Sequence, residues 1–212
     1  MGLATGFLFS QSINFKIGLF SPSMRSDLWE DNMQNLAFSR IDMLDSYYAA
    51  EYEVFLNRFT SVSLEIGRYG KEVRSQYTEY TFQDDSPIFQ NISLRVNPIE
   101  ANIKLYPFGH RGMVFPFLGA GVGLYAWTYQ QWGDFVIFPD LDIQEGFAET
   151  DTYSIGFNAR AGLVFRFHSR LALAIEGKYQ YVRGQLSGYF EGFELLDLGG
   201  ITATVGLNIY LR

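Results

Sequence analysis

Acids and bases in this chain recur at every second position along several segments, and that spacing decides what chemistry they can do. Glu51 and Glu53 share a parity, as do Glu100, Asn102 and Lys104, Asn158 and Arg160, and Glu176 and Lys178. In an extended chain residues two apart point the same way, so each set projects from one face of one strand. Lys16, Glu65, Arg95 and Arg166 extend the pattern, with Asn14 and Asn208 on matching faces. The groups Lys16, Glu51, Glu53, Glu65, Arg95, Glu100, Lys104, Arg160, Glu176 and Lys178 are nearly balanced in sign. Gathered into one interior they would have to pair, because an unpaired buried charge is costly. Lys16 and Arg95 are the expected partners of Glu51, Glu53 and Glu65.

Acid–base or nucleophilic catalysis needs a base within reach of its nucleophile. The chain has two histidines, His110 and His168, and no cysteine. Both histidines fall in short Gly-, Ser- and Arg-containing segments that read as turns, so neither imidazole is expected to serve a catalytic site. A second cluster is purely acidic. Residues 133–152 hold Asp134, Asp140, Asp142, Glu145, Glu149 and Asp151 without a Lys or Arg. Asp140-Leu141-Asp142 offers hard oxygens, but an ordered calcium loop uses more ligands and a fixed Gly. No metal site and no cofactor is therefore expected, and the segment reads as a solvated, self-repelling loop. Trp132, Phe135 and Phe138 are apolar in these surroundings, as is Trp29 in an earlier acidic stretch. With Asp134, Asp140, Asp142 and Glu145 they form a candidate interaction surface.

The elements that must carry these groups are strands. From Ile201 to Arg212 one face reads Ile, Ala, Val, Leu, Ile, Leu and the other Thr, Thr, Gly, Asn, Tyr, Arg. Such alternation separates an oily from a wet environment. It recurs over 12–20, 46–56, from 62, 92–106, 114–129, 153–167 and 171–184, giving about eight strands. In the fourth, Ile92, Leu94 and Val96 share the oily face with Ile99, Ala101, Ile103 and Leu105 only if the parity flips at Asn97-Pro98, which predicts a bulge. Asn57–Thr60, Gly109–Gly112 and His168–Arg170 are short turns, while the other connections are long and acidic. Tyr48, Tyr52, Tyr153, Tyr179 and Tyr181 fall toward the long-loop end of the oily face, Phe165 and Phe167 toward the other, with aliphatic residues between. Aromatic girdles around an aliphatic belt fit a bilayer.

Composition agrees. Charged residues make up 18% and aromatics 17% of 212 residues, against about 25% charge in soluble domains. No apolar run is long enough for a membrane helix. The net charge of −7 argues against nucleic acid as a partner. The first residues lack a basic leader region, so a membrane barrel implies a leader removed or replaced.

On these residues the chain resembles the small outer-membrane β-barrel proteins of Gram-negative bacteria, the OmpA-, OmpX- and OmpW-like group. Pro116–Gly123 is similar to the Gly-rich strand common there, and Thr204, Gly206, Ile209 and Leu211 match the spacing of the C-terminal assembly signal. The group usually ends on Phe or Trp, whereas this chain reads Leu211-Arg212. The resemblance implies one all-β domain over 1–212, with 1–11 as a periplasmic lead. That domain would be an eight-stranded antiparallel up-and-down transmembrane barrel in the bacterial outer membrane, with short periplasmic turns and long extracellular loops. Enzymes of similar barrels use a His base near the outer rim, which neither histidine reaches here, so no enzymatic activity is expected. The expected role is structural: a plugged polar lumen, with acidic loops presented to a partner. Outer-membrane lipid, lipopolysaccharide, the barrel assembly machinery and another envelope protein are the partners implied. A small channel or hydrophobic-ligand conduit of the OmpW kind is the alternative. A soluble lipocalin-like barrel with the oily face inside is a third reading.

Overall fold

A computed structural model describes residues 10–137 and 142–211. Alternation makes strands, and the strands close a ring. They are β1 (Ser10–Pro22), β2 (Asp45–Phe55), β3 (Thr60–Thr81), β4 (Pro87–Leu105), β5 (Val114–Ile137), β6 (Asp142–His168), β7 (Leu171–Gly184), the two-residue β8 (Leu196–Asp197) and β9 (Gly200–Leu211). Each long strand pairs antiparallel with its neighbour, from β1–β2 through β6–β7. The circle closes through β7–β9 and β9–β1. Eight strands form the wall, and β8 only adds two rungs above β7. Closure removes the sheet edges, which a barrel in lipid requires.

The outward face carries the belt. Phe15, Ile17, Leu19, Val62, Leu64, Ile66, Ile99, Ile103, Val122, Leu124, Ile175, Val205 and Leu207 are all exposed on it. A soluble barrel would hide this face, so the lipocalin-like reading is overturned. Tyr48, Tyr52, Tyr153, Tyr179 and Tyr181 are exposed at the outer margin of the belt, and Phe165 and Phe167 at the periplasmic margin. The chain is a transmembrane barrel whose wall faces lipid.

Two expectations about the strands fail. There is no bulge at Asn97-Pro98: β4 keeps one register with β5 across Asn97↔Ala126, Pro98↔Tyr125 and Ile99↔Leu124. Proline lacks an N–H, and here it omits a ladder bond to β3 without inserting a residue. Parity therefore never flips. Ile92, Leu94 and Val96 point inward and are buried, and Arg95 points outward and is exposed. The acidic segment after Tyr129 is also not an open loop. β5 and β6 stay paired up to Ile137↔Asp142, forming a hairpin far above the membrane. Strand β1 also takes in Ser10 and Gln11, the last two residues of the expected N-terminal lead.

A single rule explains both. Below the tyrosine girdle the wall is apolar outside and polar inside. Above it water replaces lipid outside, and the same parity carries polar residues outward and apolar ones inward. The inward apolar residues meet a plug. Helix α1 (Asp27–Asn35) starts after Ser26, with Asp27 and Glu30 in its first turn, where the helix dipole favours acids. It buries Leu28 and Trp29 against Phe38, Tyr129, Phe190, Leu196 and Leu198. The first and last outer loops clasp each other through Asp197. Its carboxylate accepts from the Arg25 and Gly199 amides at 3.1 and 3.0 Å, and its carbonyl accepts from Trp29 Nε1 at 3.0 Å.

The belt gives a direct stability prediction. Val205 lies outward halfway along β9, and Thr204 lies inward and is buried. Val205→Arg should destabilise the barrel by about 2–4 kcal/mol if Val205 sits near the midplane. Val205→Leu should change it by less than about 1.5 kcal/mol. Denaturant unfolding in phospholipid vesicles measures both, and an Arg as well tolerated as Leu would contradict the assignment of this face to lipid.

Candidate functional site

Within the membrane span the interior is filled by charge. Lys16, Glu51, Glu53, Glu65, Glu100, Lys104, Arg160, Glu176 and Lys178 are all buried. They come from β1, β2, β3, β4, β6 and β7, and the ring sets them on one axis because all have inward parity. Arg160 stands at the centre, 2.9 Å from Glu65, 2.9 Å from Glu100 and 3.5 Å from both Glu51 and Glu176. Lys16 reaches Glu65 at 2.7 Å, Glu51 at 2.8 Å and Glu176 at 3.0 Å. Lys178 bridges Glu65 at 2.8 Å and Glu100 at 2.7 Å. Lys104 holds Glu51 at 2.8 Å and Glu53 at 3.3 Å.

Four cations thus face five carboxylates, and hydroxyl groups meet the remainder. Ser63 Oγ donates to Glu51 at 2.6 Å, Tyr125 OH donates to Glu100, and Ser61 Oγ and Tyr106 OH both donate to Glu53. Sequence reading missed these hydroxyls, although Tyr106 and Tyr125 are inward by the same parity that located the charges. The Gly-rich strand makes room for the network. A Cβ at Gly121 would meet Asn102 Oδ1 at 2.1 Å, and one at Gly119 would meet Arg160 Cγ at 2.9 Å.

Arg95 is the exception among the expected lumen residues. It lies across from Gly70 and Thr128 on the outer wall and has no partner among the described residues. Lys104, Arg160 and Lys178 take the place expected for it.

Apolar layers bound the charges. Below them Phe55, Tyr106, Phe115, Phe117 and Val164 cluster with Tyr210, over whose ring the Arg166 guanidinium lies at 4.3 Å. Above them Phe20, Ile92, Leu94, Val96, Tyr125, Trp127 and Val182 belong to the plug core. The upper interior is therefore apolar, where a polar lumen throughout was expected.

The histidines lie at the periplasmic end, His110 in the β4–β5 turn and His168 as the last residue of β6. His110 stacks on Phe55 at 4.4 Å between ring centroids, and its Nδ1 lies 2.9 Å from the Arg58 carbonyl. Burial holds its imidazole below the ordinary pKa. His168 Nδ1 accepts from the Arg170 amide at 3.3 Å. Among the described residues no group of three His, Cys, Asp or Glu is arranged to hold a metal ion.

The candidate interaction surface becomes one end of the β5–β6 hairpin. Trp132 opposes Phe147 and is half-buried, Asp134 opposes Glu145, and Phe135 packs over Gly146. Asp142 begins β6 and accepts from Gln144 Nε2 at 2.8 Å. Phe138 and Asp140 lie outside the described residues. Placing Asp134 directly across from Glu145 opposes like charges on one rung, which destabilises a sheet.

Comparison with known proteins supports the fold. No family profile matches the chain, and no curated protein matches its sequence. Solved structures do. Outer membrane protein OprG from Pseudomonas aeruginosa superposes with a TM-score of 0.61 at 12% identity, over 96% of each chain. Neisserial surface protein A superposes with a TM-score of 0.53 at 12% identity, over 95% of this chain and 96% of that one. The chain has the fold of the small outer-membrane β-barrels.

The network makes a prediction that depends on pairing. Arg160→Met strands several buried carboxylates and should cost about 3–5 kcal/mol. Adding Glu100→Gln should cost less than the sum of the two single changes, by about 0.5–3 kcal/mol. A double-mutant cycle in unfolding free energy measures this. Strict additivity would mean that the two groups do not interact.

Proposed function

We propose that this chain is a non-enzymatic outer-membrane barrel whose interior is a structural strut, and whose work is done by the acidic hairpin it raises outside the membrane. The observation that carries the reading is the layered filling of the interior. Aromatic residues close the periplasmic end, paired charges fill the middle, and an apolar core with α1 closes the outer end. Small barrels of this width fill with side chains rather than water. Every carboxylate of the network is engaged by a cation or a hydroxyl, which leaves none as a general base.

The hairpin is the remaining exposed feature without a structural need. Its rungs above Gly133↔Gly146 pair with no other strand among the described residues, and its acids repel one another. Presenting an anionic surface to a partner envelope protein, or through divalent cations to lipopolysaccharide, gives it a purpose. Replacing residues 134–145 by Asn-Gly closes the ladder just above the Gly133↔Gly146 rung and spares Gln131 and Ala148. The shortened protein should still show the mobility shift of a folded barrel on unboiled gels. It should also lose its salt- and chelator-sensitive cross-links to envelope components. An unchanged cross-linking pattern would refute the role of the hairpin.

A second reading has its own observation. A cleft of about 510 Å³ opens between α1, the hairpin and the last outer loop, lined by Leu28, Leu36, Tyr77, Phe135, Phe147 and Phe190. Its character suits an apolar ligand, as in a conduit of the OmpW kind. The plug core beneath it would make this a receiving site rather than a through-passage. Trp29 follows the lining residue Leu28 and Trp132 lies opposite the lining residue Phe147, so an apolar probe that binds there should change tryptophan fluorescence at micromolar concentration. Steady single-channel conductance in planar bilayers would overturn the closed interior and favour the conduit.

A further inference from the structure

We propose that the outer wall carries a binding cleft for the phosphorylated sugar headgroup of lipopolysaccharide, with Arg68 and Arg95 as its phosphate ligands. The proposal rests on the barrel's placement in the outer membrane and is independent of the hairpin. Tyr48 stands in the outer tyrosine girdle, and Arg68 is its direct cross-strand neighbour. Aromatic girdles mark the headgroup level of a bilayer. Arg68 is thus fixed at the height of lipid headgroups, and Arg95, opposite Gly70, sits just above it.

Neither guanidinium has a hydrogen bond, ion pair or ring contact within the described residues, and both are exposed. The barrel's other exposed feature of this size, the hairpin, is acidic. Two free arginines on adjacent strands at neighbouring heights of an acidic protein call for an external anion. Arg suits phosphate because its planar fork makes two parallel hydrogen bonds.

The shape argues for a sugar as well as a phosphate. The arginines line a cleft of about 760 Å³ together with Tyr48, Ser93, Asn97 and Thr128, whose hydroxyl and amide groups suit sugar hydroxyls. Gly70 leaves the floor open between the two arginines: a Cβ there would already touch Arg95 Cγ at 3.6 Å. Three other charged groups face the cleft. Lys71 and Asp45 pair with each other at 3.1 Å, which neutralises both. Glu72 lies on the outward parity above Gly70 and makes the upper end acidic. The anion is therefore held at the lower end, nearest the membrane, between Arg68 and Arg95.

The test titrates the full chain, folded in detergent, with purified lipid A carrying both phosphates, and reads bound lipid by native mass spectrometry. Dephosphorylated lipid A and phosphatidylglycerol are run beside it. Wild type should bind the phosphorylated lipid A at least about tenfold more tightly than either comparison lipid. The double variant Arg68→Gln/Arg95→Gln should lose about tenfold or more of that affinity. Gly70→Leu, which keeps both arginines and blocks the floor, should weaken binding too, and it carries the test should the double variant fail to fold on unboiled gels. Equal binding of phosphorylated and dephosphorylated lipid A would overturn the proposal. So would undiminished binding by the folded variants. Phosphatidylglycerol binding as tightly as lipid A would overturn the assignment to lipopolysaccharide. The variants leave residues 134–145 intact, so failure here is separable from failure of the hairpin reading.

Discussion

The structure depends on the space inside an eight-stranded ring that stands in lipid. The outward face of each strand must be apolar through the membrane, so its inward neighbours can be polar. The ring encloses a volume that side chains fill, and water cannot solvate charges placed there. Each interior charge must then find its partners on other strands. Arg160 meets this condition by touching four carboxylates from β2, β3, β4 and β7. The network ties six of the eight wall strands to a single register, because a one-residue slip of any of these six would carry its charge out into lipid. Pairing of this kind is weak evidence for net stability, but it is a strong constraint on arrangement.

The same constraint ends at the outer girdle. Above Tyr48 and Tyr153 the wall stands in water, and its parity continues while its polarity inverts. Gln131 on the inner face of β5 meets Asn32 of α1 and Gln90 of β4 at 2.7 and 2.9 Å, a small amide cluster inside an apolar core. The outer part of the protein is thus built like a soluble sheet packed on a helix. The part below is built inside out. The plug and the tall hairpin follow from this change of solvent.

How far the sequence was legible follows from the same inversion. Period-two alternation identified the ring, its strand order, its short turns and nine of the ten expected lumen charges, because within the membrane polarity and parity agree. Where they disagree, the reading went wrong. Ile92, Leu94 and Val96 are apolar but inward, and treating them as lipid-facing required a bulge and sent Arg95 into the lumen. The continuation of β5 and β6 past the girdle was hidden in the same way, since the acids there resemble a loop. The plug contacts join residues far apart in sequence, such as Trp29 with Asp197, and no local pattern encodes them.

The inversion without a register change is the central claim, and β4 tests it most directly. Spin labels at the odd positions of 91–105 other than the buried Ser93 should divide in two. Labels at Ile99, Ala101, Ile103 and Leu105 should be accessible to oxygen dissolved in lipid. Labels at Asn91, Arg95 and Asn97 should be accessible to a water-soluble relaxation agent. Labels at the even positions from Ile92 to Lys104 should be shielded from both. An exchange of exposed and shielded parity across Asn97-Pro98 would contradict the account.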